Sequence, residues 1–243
     1  MRNSVIQVLK KSNSNKQLIM LPFAGGHGKS YLSLSEGIKE DIEIVGINPP
    51  GSFFCNKNRM NRIESLANLY LEELRPILKE EIIIFGHSMG GAVAYEFLNS
   101  IKDHEIKKIK HVFLTGAHPP HTKQKNDDLN SKMNNNEIIA KCIEIGGFPK
   151  QLKFEKEFCD VFCKMMKTDL EALENYEIND SHKLIPIPAT ICWGKEEELN
   201  LEEAEEWNRY FKIHELKEFA GDHFFIMNEN NKLEICKMIE NLF

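Results

Sequence analysis

The chain has 243 residues, 42% of them hydrophobic, which is enough to bury one substantial core. Its formal charge of −6 is spread along the sequence. With no basic block and no interleaving of basic and aromatic residues, a nucleic-acid partner is not expected. No run approaches the length of a membrane span, and residues 1–11 lack the apolar stretch of a signal peptide, so no membrane association and a cytoplasmic location are expected.

Apolar periodicity predicts short strands alternating with amphipathic helices. In chain order these are strand 17–21, helix 31–39, strand 42–47, helix 62–79, strand 81–86, helix 90–101 and strand 110–115. Strand 189–193, helix 201–211, strand 213–219 and helix 231–241 complete the series. The alternation predicts the α/β class, with a mostly parallel central sheet and helices on both faces.

The rhythm breaks over 119–188. That span opens polar, at Lys123-Gln124-Lys125-Asn126-Asp127-Asp128, and then carries helical periodicity as far as Tyr176. It reads as a helical insertion into a single domain spanning 1–243. Ligands of open α/β sheets bind at the carboxyl ends of the strands, so an insertion rooted there lies over the site as a lid. Phe148, Phe154, Phe158, Phe162, Met165 and Met166 are expected to pack within it, and in part to line an apolar channel.

Between the apolar run Ile82-Ile83-Ile84-Phe85 and the helical stretch from Gly91 stands Gly86-His87-Ser88-Met89-Gly90. A GxSxG sequence between a strand and a helix is the pattern of a nucleophile elbow, as in the α/β-hydrolase fold. Small residues on either side let strand and helix approach, and the strained turn lifts the serine hydroxyl toward solvent. Ser88 is therefore the expected nucleophile of a serine hydrolase.

A serine hydroxyl needs an imidazole to take its proton and a carboxylate to orient that imidazole. In this fold the chain order is serine, acid, histidine. His223 follows the last predicted strand and is the expected base; His27 and His118, each after a strand end, are the rivals. His104, His111, His182 and His214 read as surface or satisfied core residues, and His87 should point away from the hydroxyl beside it. The acid should follow strand 189–193, where Gly194-Lys195-Glu196-Glu197-Glu198 supplies three glutamates and no aspartate. Glu197, three residues past Gly194, is preferred, Glu196 is the alternative and Glu198 the third choice. Glu202, Glu203, Glu205 and Glu206 read as first-turn and solvating residues of the next helix.

The oxyanion site should combine the Met89 amide with one from the loop Leu21-Pro22-Phe23-Ala24-Gly25-Gly26-His27-Gly28, where Ala24 N–H is the choice. Gly28-Lys29-Ser30 imitates the end of a phosphate loop, but the required earlier glycine position holds Phe23. Cys55, Cys142, Cys159, Cys163, Cys192 and Cys236 form no CxxC pair, so neither disulfides nor a metal site is expected.

Taken together, the residues resemble the type II thioesterases that accompany nonribosomal peptide and polyketide synthases. The likeness rests on Leu21-Pro22-Phe23-Ala24-Gly25-Gly26, Pro49-Pro50-Gly51, Phe85-Gly86-His87-Ser88-Met89-Gly90-Gly91 and Gly116-Ala117-His118-Pro119-Pro120-His121. Gly146-Gly147-Phe148-Pro149, Asp169-Leu170-Glu171-Ala172-Leu173-Glu174-Asn175-Tyr176, Trp207 and Gly221-Asp222-His223-Phe224-Phe225 continue it. The resemblance implies a monomeric enzyme, without a cofactor of its own, that removes acyl or aminoacyl groups from the phosphopantetheine thiol of carrier proteins and so returns stalled synthases to work. It implies Ser88 and His223 as nucleophile and base and Met89 and Ala24 as oxyanion donors. The sequence departs from that pattern at the acid, where the usual aspartate aligns with Glu197 or Glu196. Carrier proteins are commonly acidic and this chain is net negative, so docking is expected to be local, through lid residues such as Lys123, Lys125 and Lys150. The alternative is a carboxylesterase or lipase acting on small oxygen esters. A carrier-binding module that lost its triad is the reading from outside enzymology.

Overall fold

The computed structural model describes residues 4–122, 129–178 and 183–243. One seven-stranded sheet holds β1 (Ile6–Lys10), β2 (Lys16–Leu21), β3 (Glu43–Ile47), β4 (Glu81–His87), β5 (Ile109–Thr115), β6 (Ile185–Gly194) and β7 (Phe211–Phe219). Their spatial order is β1-β3-β2-β4-β5-β6-β7. Every neighbouring pair is parallel except β1 with β3. Helices follow the strands: α1 (Leu32–Gly37), α2 (Ile63–Leu74), α3 (Met89–Ser100), α4 (Asp103–Ile106), α5 (Asn135–Glu144), α6 (Lys156–Glu174), α7 (Leu201–Glu205) and α8 (Glu229–Asn241).

Both faces of the sheet are covered, so its strands read as continuous apolar runs whose alternate residues enter different cores. Ile19, Val45, Ile82 and Ile84 pack with Leu66, Tyr70, Val93 and Phe97 of α2 and α3. Leu18, Met20, Ile44, Ile83 and Phe85 pack with Leu34, Ile235 and Ile239 of α1 and α8. This arrangement puts β4 near the middle of the sheet, and its carboxyl end carries Ser88.

The structure departs from the periodicity reading in several places, the short helix α4 among them. β1 is not expected from periodicity: Ile6-Gln7-Val8-Leu9-Lys10 is short, its polar residues at 7 and 10 break strict alternation, and pairing with β3 at the sheet edge makes it a strand. Helix 62–79 ends at Leu74, because Pro76 has no N–H and the chain tightens into a 3-10 turn, Arg75–Ile77. Helix 201–211 becomes α7 followed by a 3-10 turn, Glu206–Arg209, because Phe211 is buried and already pairs with Ile185. The insertion ends earlier than 188, since β6 begins at Ile185. Pro186 and Pro188 fit there because pairing with β5 starts only at Ala189 and the register with β7 shifts between Ile185 and Pro188.

Within the insertion, Asn134 caps α5 by accepting from the amides of Asn136 and Glu137, while Glu137 accepts in return from the Asn134 amide. α5 and α6 enclose a core of their own, built from Ile138, Cys142, Phe148, Phe162, Cys163, Met166 and Leu170, with Ala24 packed against it. Phe154 does not join this core: it closes the 3-10 turn Lys150–Phe154 and is 81% exposed, with the Lys153 ammonium over its ring. Lys123 and Lys125 lie outside the described residues.

Candidate active site

The chain turns from β4 into α3 at Ser88, which has φ 54° and ψ −122°. Among the described residues it is the non-glycine residue with positive φ. Such a conformation costs on the order of 1–3 kcal/mol and persists only where its surroundings impose it. Here they do. A Cβ on Gly86 would lie 2.4 Å from the Gly90 carbonyl oxygen, and one on Gly90 would lie 2.4 Å from that of Leu21, so only glycines let strand, helix and loop approach this closely. Ser88 N–H donates to Thr115 O at 2.9 Å, and Gly91 N–H donates to Ser88 O at 2.8 Å, fixing the turn from both sides.

His223 comes from the loop after β7, and a carboxylate meets it from the turn after β6. Glu197 Oε2 lies 2.7 Å from His223 Nδ1, and its other oxygen accepts the Gly194 amide at 2.6 Å. The Glu197 side chain is 4% exposed. Two backbone bonds stitch the segments together, Lys195 N–H to Phe219 O and Glu196 N–H to Gly221 O. Glu196 and Glu198 line the same cavity but are exposed. Of the three sequence candidates, Glu197 is the one turned onto the imidazole.

Ser88 and His118 border two cavities. One of about 390 Å³ is lined also by Phe23, Ala24, Glu197, His223 and Phe224. The other, about 510 Å³, is lined also by Met89, Ala92, Pro119, Leu170 and Tyr176. Both candidate oxyanion residues therefore flank Ser88, Ala24 in one cavity and Met89 in the other. Of the expected lid residues, Met166 reaches a cavity wall, while Phe148 and Phe162 are spent on the core of the insertion.

The rival histidines have other surroundings. The His27 ring packs against Phe54, and burial pushes its pKa down to about 4. His118 sits at the junction of the cavities with Nδ1 4.0 Å from Glu203 Oε2, and burial lowers its pKa. His111 donates to or accepts from Thr190 Oγ1 inside the sheet, with His214 against its ring. His182 lies outside the described residues. His87 is fully buried with Nδ1 2.9 Å from Thr115 O; a carbonyl can only accept, so Nδ1 carries the proton. Burial holds its pKa well below the usual histidine range. One acid that the sequence presents only within a motif, with no role of its own, has a contact in the fold: Asp169, on α6, accepts the Gly25 amide at 2.8 Å. Its signal was a carboxylate on the apolar face of an amphipathic helix, between Met166 and Leu170.

A mostly parallel sheet, a serine on a strained strand-to-helix turn and a carboxylate-bound histidine on the last strand's loop define an α/β-hydrolase-type molecule. The sequence profile of the thioesterase domain matches residues 16–243, and the chain belongs to that family of thioester hydrolases. It is 26% identical over 228 residues to the probable anguibactin biosynthesis thioesterase AngT of Vibrio anguillarum, covering 90% of this chain and 88% of that one. It is 24% identical over 243 residues to the human S-acyl fatty acid synthase thioesterase, medium chain, covering 96% and 87%. The solved type II thioesterase BorB from the borrelidin biosynthetic cluster superposes with a TM-score of 0.84 at 21% identity, covering 100% of this chain and 99% of that one. Among the described residues, no helix is long and apolar enough to cross a membrane.

Proposed function

We propose that this thioesterase hydrolyses acyl or aminoacyl thioesters on the phosphopantetheine arm of carrier proteins, with Ser88 as nucleophile, His223 as base and Glu197 as the acid that orients it. The observation that carries this reading is the 2.7 Å Glu197–His223 pair opening on the cavity that Ser88 borders. Neutral His223 takes the hydroxyl proton through Nε2 as Ser88 Oγ bonds to the thioester carbon, and the amides of Met89 and Ala24 receive the charge on oxygen. Carbon–sulfur cleavage leaves an acyl-serine, and the departing thiolate takes the proton from the His223 imidazolium, which returns the base to its neutral form. A thiol's pKa near about 8.5 makes its anion a ready leaving group, so oxyanion stabilisation matters more than proton delivery. His223 then takes a proton from water as the water oxygen bonds to the acyl carbon, and returns that proton to Ser88 Oγ as the carbon–oxygen bond to serine breaks and a carboxylic acid leaves.

The names of AngT, a probable thioesterase of anguibactin biosynthesis, and BorB, a type II thioesterase from the borrelidin biosynthetic cluster, support a thioester of a biosynthetic pathway as substrate. On the insertion, Lys150, Lys153 and Phe154 stand exposed together and supply a local contact for an acidic carrier domain.

The test compares turnover of an acetyl-carrier thioester with that of a simple aryl ester, in the wild type and in Ser88→Ala. Carrier-bound substrate should be strongly preferred and its turnover abolished by the substitution. A preference for the aryl ester would instead assign the protein to oxygen esters.

A further inference from the structure

The loop that carries Ala24 is a tight turn. Gly26 N–H donates to Phe23 O at 2.8 Å, making Ala24 and Gly25 its central residues, and Gly25 adopts φ +75°. Positive φ at the third residue marks a type II turn, which differs from type I by a flip of the central peptide. That peptide joins Ala24 to Gly25, and its orientation is the soft coordinate of the loop.

α6 holds that coordinate. Asp169 Oδ2 accepts the Gly25 N–H at 2.8 Å, so the amide hydrogen of the central peptide points at the insertion. Packing reinforces the contact: a Cβ on Gly25 would come 3.0 Å from both Met166 Sδ and Phe162 Cε2. Asp169 is 3% exposed, and besides the Gly25 amide it feels the Arg59 charge. The electrostatic field of Asp169 also reaches the buried Tyr70 hydroxyl, which has no hydrogen-bond partner among the described residues. Burial pushes the Asp169 carboxyl up to about 7. For packing alone, an acid is a poor choice here, because an apolar side chain would face no desolvation cost. What the carboxylate does, and a leucine could not, is accept from the backbone of the loop beside Ser88.

We infer that Asp169 is a positioning residue for thioester cleavage: from α6 it pins the turn Phe23–Gly26 at its central peptide, and so fixes where that turn, with the Ala24 N–H on its first peptide, sits relative to the reacting carbonyl oxygen. The inference rests on the assignment of Ala24 as an oxyanion donor made above. It makes the insertion part of the machinery that stabilises the tetrahedral intermediate, because the loop has this support only while α6 is seated on it.

The experiment measures kcat and KM on a short acyl-pantetheine thioester for the whole chain, as wild type, Asp169→Ala, Asp169→Leu, Asp169→Asn and Ser88→Ala, with a melting curve for each. Outright loss of an oxyanion donor costs about 10²–10³ in kcat, so a misset donor should cost about 10- to 100-fold. The alanine and leucine variants should show that fall with KM within about threefold of wild type. Asp169→Asn, which keeps an oxygen to accept the Gly25 amide, should recover kcat to within about fivefold. Where the alanine variant does not fold, the leucine variant, which keeps the apolar contacts of α6, carries the same criterion. A leucine variant with kcat within about threefold of wild type, or an asparagine variant as slow as it, overturns the positioning role. If Ser88→Ala is inactive at the same time, the proposed function survives that failure. Retained turnover in Ser88→Ala overturns both.

Discussion

At the scale of single residues, two carboxylates differ in what their surroundings make of them. Glu197 has both oxygens engaged, one by the Gly194 amide and one by His223, and its length suits the gap that the turn after β6 leaves to the imidazole. Glu197→Gln should lower kcat about 10³- to 10⁴-fold, because the amide no longer favours the productive tautomer and the imidazolium. Glu196→Gln and Glu198→Gln should stay within a few fold of wild type in the same steady-state assay, since both side chains face solvent. Asp169 makes a different prediction. Its carboxyl is raised from 3.8 to about 7 by burial, so between those values the folded chain binds a proton that the unfolded chain has released, and stability falls as pH rises. Asp169→Asn removes that loss. Its melting temperature should exceed wild type by more at pH 8 than at pH 5, and equal differences at the two pH values would contradict the burial of a charge there.

At the scale of elements, the site depends on turns that end strands. β4 ends at the elbow, β6 at the Glu197 turn and β7 at the His223 loop, with the last two joined by backbone bonds. Much of this was legible in the sequence, because GxSxG between an apolar run and a helix is a local signal, and Gly221-Asp222-His223 follows the last strand in the order the chemistry requires. The choice among three consecutive glutamates was only partly legible: which one turns inward depends on the Gly194 turn and on β7 lying alongside. Asp169 could be noticed as an acid on an apolar stripe, but its partner is 144 positions away and only the fold supplies it. β1 was silent for a related reason, since its strand character comes from β3. The exposed turn Lys150–Phe154 was read as packing at Phe154, and burial is what periodicity cannot settle for the last residue of a short 3-10 turn. That exposure yields a prediction for the element. Lys150→Glu with Lys153→Glu should raise KM for carrier-bound substrate severalfold and leave acyl-pantetheine turnover unchanged; equal effects on both substrates would remove the turn from docking.

At the scale of the whole molecule, the parallel sheet sets a condition on pH. Burying both of its faces places histidines where no water reaches them: His87 at the end of β4 is 0% exposed and His111 in β5 is 3% exposed. Burial depresses both pKa values, that of His111 to about 4 with a contribution from His214, and that of His87 well below the usual histidine range, with the charge of His223 adding to the effect. Each is neutral in the folded chain below the pH at which an unfolded histidine, near 6.5, gains its proton. The unfolded state therefore binds more protons across that interval, and stability is full above about pH 6.5 and lost as pH falls. The loss is about 1.4 kcal/mol per pH unit for each such histidine, large beside the roughly 5–15 kcal/mol that holds a domain folded. Asp169 acts with the opposite sign over the same interval, as one group against His87 and His111, to which the half-buried His27, also depressed to about 4, adds outside the sheet. Urea unfolding at pH 7.5, 6.5, 5.5 and 4.5 should show the midpoint falling steeply below 6.5. His111→Phe should flatten that slope by about one proton, because phenylalanine fills much of the same apolar volume and carries nothing to titrate. An unchanged slope in this variant would mean that the sheet tolerates a protonated imidazole at its centre, and the source of the acid sensitivity would have to lie outside the buried histidines.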